Sequence, residues 1–186
     1  PPSTLAIAVA NRIAASLAAE AAEDLKTEFN STCNPTPHAG FSGSAFTWGM
    51  SFKVSSAADC CSACQAHRRV CRPGTIGRIY YVRSWQGITT PARGLPMLGS
   101  GRADVACNTW VFCPSNRCWS SDQWNHSYGE CWLKWQKDPS RPHSGAVGSY
   151  PERFRERHAT APPLVQWMSG ALTDGAAIEV DGPHWP

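Results

Sequence analysis

Apolar residues return at every fourth place near the start of the chain, at Leu5, Val9, Ile13, Leu17, Ala21, Leu25 and Phe29, on a background rich in alanine. That spacing gathers them into one stripe of a long helix over residues 5–29, with Pro1, Pro2, Ser3 and Thr4 as its start signal. At about 1.5 Å per residue such a helix runs roughly 40 Å, longer than a small domain is wide, so part of its stripe needs a further surface. A second, shorter helix is predicted over residues 57–68, opened by Ser56 with Asp59 three residues later. In it Cys60 and Cys64 share a face, while Cys61 lies about 100° around.

Elsewhere the period changes to two. Residues 107–113 and 131–135 alternate β-branched and aromatic with polar residues and read as strands, as does the run 78–83. Residues 33–52 are rich in Gly, Ser, Pro and aromatics, which predicts turns and short strands, and residues 87–102 form a Gly/Pro-rich loop. Prolines at 139, 142, 151, 162, 163, 183 and 186 break up the remainder, where residues 164–168 are the one apolar cluster. This part reads as an extended tail wrapping the domain or a partner. Three regions follow: an N-terminal stalk or docking helix (1–32), a disulfide-rich domain (33–138) with an insertion at 72–106, and a Pro-rich extended tail (139–186).

Composition narrows the setting. Of 186 residues only 17% are charged, whereas nine are cysteine and nine tryptophan, so cross-links and aromatic mass are the stabilising resources. The formal net charge of +3 rests on scattered arginines with no basic block, which argues against a nucleic-acid partner. No stretch approaches the roughly 20 uninterrupted apolar residues of a membrane span. All nine cysteines fall between Cys33 and Cys131, the density of a disulfide framework in an oxidising compartment. Zinc would favour paired C-x2-C knuckles, and only Cys61 and Cys64 have that spacing. The sequons at Asn30 and Asn125 are glycosylation acceptors that fit the same compartment. No signal-peptide pattern is present and residue 1 is proline, as expected where a leader has been removed or lies outside the sequence.

Three features in order, Ala57-Ala58-Asp59-Cys60 with Cys64 on a helix, Cys107-Asn108-Thr109-Trp110 on a strand, and Cys131-Trp132-Leu133-Lys134 on a closing strand, resemble the PAN/apple family over residues 33–137. The doubled Cys60-Cys61 and the Gly-Glu-Cys-Trp-Leu-Lys ending are most similar to cysteine-rich variants in secreted proteins of plants and green algae. The resemblance implies an α+β fold in which an antiparallel sheet cradles one helix, with bridges Cys60–Cys131 and Cys64–Cys107. The insertion at 72–106 leaves Cys71 open as the other partner for Cys64. Cys113 with Cys118 makes a third pair, closing a loop over residues 114–117. Cys33, Cys61 and Cys71 then remain unassigned, and one thiol is left over.

The chemistry-bearing residues form no recognisable constellation. His38, His67, His126, His143, His158 and His184 are dispersed and read as surface residues. The carboxylates offer no localised acid and base pair. Neither a nucleophile elbow nor a phosphate-binding glycine loop is present, and no cofactor or metal is expected. Binding is left, and the aromatic loop between the last two strands is its expected seat. Trp119 and Trp124, flanked by Ser120, Ser121, Asp122 and Asn125, are expected to be exposed, with Arg117 and Trp135 as further ligand contacts. The sequence therefore predicts a non-catalytic extracellular interaction module, binding proteins or glycans as a structural component of a cell-surface or matrix assembly. The alternatives are a lectin-like carbohydrate-binding module and an accessory domain of a secretory-pathway glycan-processing enzyme.

Overall fold

The computed structural model describes residue 29 and residues 31–70, 80–83, 89–92 and 106–183. Apart from Phe29, the helix expected over 5–29 lies outside the described residues, as do Asn30 and Cys71. The chain divides into two compact units, Pro1–Ser31 and Thr32–Pro186, and the second holds the elements below.

The unit is α+β. Its strands are β1 (Pro35–Pro37), β2 (Ala39–Phe41), β3 (Ser44–Ala45), β4 (Tyr80–Arg83), β5 (Thr89–Ala92), β6 (Thr109–Phe112), β7 (Arg117–Cys118), β8 (His126–Ser127), β9 (Cys131–Trp135), β10 (Ser144–Val147) and β11 (Met168–Ala171). Helix α1 spans Ala57–Val70 and the short α2 spans Glu152–Arg157. The central sheet has the order β1-β11-β6-β9-β3, with antiparallel pairing throughout. Two-stranded ribbons pair β2 with β10 and β7 with β8. Within the predicted insertion, β4 pairs with β5, which falls in the stretch expected as loop.

Helix α1 starts where Ser56 Oγ accepts a hydrogen bond from the Asp59 backbone N–H, 3.1 Å away, satisfying one of the free donors of the first turn. Ala57, Cys60, Cys61, Cys64 and His67 are buried, a spacing of three and four that forms one apolar face. That face carries three bridges: Cys61 to Cys33 ahead of β1, Cys60 to Cys131 on β9, and Cys64 to Cys107 just before β6. Cys113 and Cys118 close the turn between β6 and β7. Each bridge restricts the unfolded chain and contributes about 2–4 kcal/mol, which compensates for an apolar core too small to hold the helix unaided.

Alternation on the inner strands sends successive side chains to opposite faces. On β9, Cys131 points to α1 through its bridge, while Trp132 and Lys134 face the other way. Val111 of β6 stands opposite Trp132, and Thr109 opposite Lys134. On the α1 side, Trp110 is fully buried and its indole N–H donates to the Cys33 carbonyl at 3.3 Å. The β2–β10 ribbon covers the opposite face, where Phe41, Val111, Trp119, Tyr150, Val165 and Trp167 join one cluster. The chain passes from β1 to β2 at His38, whose φ of 53° is left-handed. Its ring Nδ1–H donates to the Val165 carbonyl at 2.8 Å, a bond that fixes this strained corner.

The C-terminal region departs from the expected extended tail. It supplies β10, α2 and β11, and β11 lies inside the central sheet between β1 and β6. Strand β11 reads poorly in sequence because Ser169, Gly170 and Ala171 have weak strand preference. Its place is fixed by fit. The Gly170 Cα sits so close to the Trp110 ring and the Cys33 carbonyl that an added Cβ would overlap both.

Candidate functional site

The sheet face turned away from α1 does not pack solidly against the ribbon. Between them lies a cavity of about 420 Å³, within the size range of sites that hold small ligands. Its floor is Val111, Trp132 and Lys134 from β6 and β9, and one wall is Phe41 and Ser42 with Gly145 and Ala146 of the ribbon. Tyr150, Phe154 and Trp167 make the far wall, and the loop Trp119 to Asp122 forms the rim. Tyr150 and Phe154 stack at 5.3 Å, with Trp119 edge-on to both. Burial pushes the Tyr150 hydroxyl up to about 12, so it is a neutral wall at physiological pH.

A chain of ionisable groups enters the cavity from one side. His126, buried, has Nδ1 2.7 Å from Glu130 Oε2 and Nε2 3.0 Å from Asp122 Oδ2. Glu130 is itself buried and its other oxygen accepts the Ser127 backbone N–H at 2.8 Å. Asp122 also accepts from Ser120 Oγ at 2.9 Å and from the Trp124 N–H at 2.8 Å. Partial burial works to raise the Asp122 carboxyl, but the bonds from His126, Trp124 and Ser120 outweigh it and hold the group below the usual carboxylate range. The sequence pattern reads His126 as a surface residue and offers no localised acid and base pair. The structure differs because these three groups stand at i, i+4 and i+8, and the turn at Gly129, with φ of 86°, folds Glu130 back beneath the ring.

Lys134 is the other ionisable group. Its ammonium donates to the Phe41 carbonyl at 2.7 Å, and burial pushes it down to about 8. The strand carrying it was legible, but its role was not. The signal available was alternation, which puts Lys134 on the same face as Trp132.

The predicted ligand residues separate. Trp119, expected to be exposed, is buried at 8% exposure. Its indole N–H donates to Thr160 Oγ1 at 3.0 Å, and its rings meet Tyr150, Phe154 and His158. Its polar neighbours in sequence gave the opposite impression, because the partners that cover it come from the region expected as tail. Trp124 is exposed at 49%, beside the exposed sequon residue Asn125. Arg117 is exposed on β7, and Trp135 is half-buried at the end of β9. The structure adds Trp48, 53% exposed and edge-on to Trp124 at 6.2 Å. Behind them Trp132 meets Trp48 at 5.2 Å, so aromatic surface runs from the cavity floor to the outside.

Among the described residues no group of three His, Cys, Asp or Glu side chains is arranged to hold a metal ion, and no helix is long and apolar enough to cross a membrane. No protein-family model, curated protein or solved structure matches the chain.

Proposed function

We propose that this chain is a non-catalytic extracellular interaction module of PAN/apple type, which engages its partners through the Trp48–Trp124 surface. One observation carries the reading: two half-exposed tryptophans, Trp48 and Trp124, meet edge to face at 6.2 Å, and Trp48 is backed by Trp132 at 5.2 Å. Indoles so placed offer rigid contact area at low entropic cost. Of protein and glycan partners the pair favours a glycan, because an indole face stacks on the C–H face of a sugar ring while exposed Ser121 and Asn125 sit close by in the chain to meet hydroxyl groups. Four disulfides support an oxidising, extracellular setting, and a cell-surface or matrix assembly is the proposed context within it. The test is a glycan array probed with the full chain and with a Trp48→Ser/Trp124→Ser variant. Binding to a defined glycan set, lost at least tenfold in the variant at unchanged melting temperature, is expected. An array with no hits, or a variant that binds as the parent does, overturns the reading.

A further inference from the structure

The polar groups around the cavity divide sharply. Both ring nitrogens of His126 are engaged by carboxylates, and the two Asp122 oxygens accept bonds from Ser120, Trp124 and His126. Asp122 and Glu130 face His126 at its two ring nitrogens, so these groups are turned on one another. They are satisfied by one another and ask nothing of a ligand. Lys134 is different. An ammonium has three donors, and at Lys134 one goes to the Phe41 carbonyl; no ion pair of Lys134 exists among the described residues. Lys134 is partly buried, and an ammonium set among aromatic rings with no direct ion pair is placed to meet an anion.

The cavity fixes what that anion is attached to. Phe41, Trp132, Tyr150, Phe154 and Trp167 make its walls aromatic, while Ser120, Asp122 and His126, which also line it, are hydrogen-bonded to one another. One spare positive charge matches one negative charge, and the negatively charged Asp122–His126–Glu130 group disfavours a dianion such as a phosphate monoester. We infer that the cavity binds an aryl-alkyl carboxylate: a flat apolar ring held between Trp132 and the Tyr150–Phe154 wall, its carboxylate paired with the Lys134 ammonium. The depressed titration of Lys134 agrees with this, since it marks an ammonium that has lost water and gained no ion-pair partner. This site adjoins the Trp48–Trp124 surface through Trp132, but Trp48 and Trp124 do not line it, so the two proposals are tested independently.

The experiment titrates the full chain at pH 7 by calorimetry with phenylacetate, 3-phenylpropionate and indole-3-acetate, each beside its uncharged amide. Carboxylates are expected to bind at least tenfold tighter than their amides. Lys134→Met is expected to abolish that preference, and Lys134→Arg to restore part of it. Ala146→Phe, which fills the cavity from the ribbon side, is expected to remove binding while Lys134 stays in place. The Trp48→Ser/Trp124→Ser variant is expected to bind as the parent does. Failure of all three acids to bind, equal affinity for acid and amide, or undiminished binding by Lys134→Met overturns the inference.

Discussion

Acid should loosen this protein through His67. The side chain is 7% exposed on the buried face of α1, 4.5 Å from the Phe46 ring, and its Nδ1 accepts the Cys107 backbone N–H at 3.1 Å. Burial pushes its titration from 6.5 down to about 4. Protonation would place a charge in the core and set an N–H against the N–H of Cys107. The unfolded chain therefore binds the proton more readily, so stability is fully present above pH 6.5 and is lost as pH falls through 6.5 to 4. A fall from 6.5 to about 4, at about 1.4 kcal/mol per pH unit, removes about 3 kcal/mol, a large fraction of the ~5–15 kcal/mol typical of a domain. Urea unfolding followed by tryptophan fluorescence, with disulfides intact, would measure this at pH 7.5, 6, 5 and 4. His67→Gln keeps an acceptor for Cys107 but does not titrate, and it should flatten the curve over that range. If the variant loses as much stability as the parent between pH 7.5 and 4, His67 is not the group responsible.

Other perturbations separate core from surface. Trp119→Ala should cost about 3–5 kcal/mol, as expected for a buried aromatic, and Trp124→Ala less than about 1 kcal/mol; equal effects in thermal melts would contradict the burial assigned to Trp119. Thr109 Oγ1 is buried without a hydrogen-bond partner, so Thr109→Val should stabilise the fold by about 1 kcal/mol, visible as a raised urea midpoint. Gly170→Ala drives a methyl into the Trp110 ring and the Cys33 carbonyl and should cost about 3 kcal/mol or more; a melting temperature within a degree of the parent would show that β11 does not pack as described.

The parts of the fold that were legible in sequence depend on short-range regularity. Spacing by four put Cys60 and Cys64 on one helical face, and alternation marked β6 and β9 as strands. What escaped depends on residues distant in the chain. Strand β11 has small side chains with little preference of their own, and only the Trp110 ring across the sheet requires Gly170. Trp119 looked exposed because Ser120, Ser121 and Asp122 follow it, yet Tyr150, Phe154 and His158 cover it from beyond residue 139. The candidate cavity was hidden for the same reason. Its floor is a strand, its rim a loop and its far wall a region read as tail, and local patterning does not report that such pieces converge.

The position of β11 also constrains the order of events during synthesis. Strand β1, near the beginning of the described chain, has β11 as its sheet neighbour, with Pro35 opposite Gly170 and Pro37 opposite Met168. When residues 35–37 leave the ribosome their partner has not yet been made, and β6 presents an open edge until residues 168–171 emerge. The sheet is therefore completed from its C-terminal end. Helix α1 and β9, joined by the Cys60–Cys131 bridge, can be tied together earlier, and a chain arrested before residue 168 would expose a bare edge to aggregation.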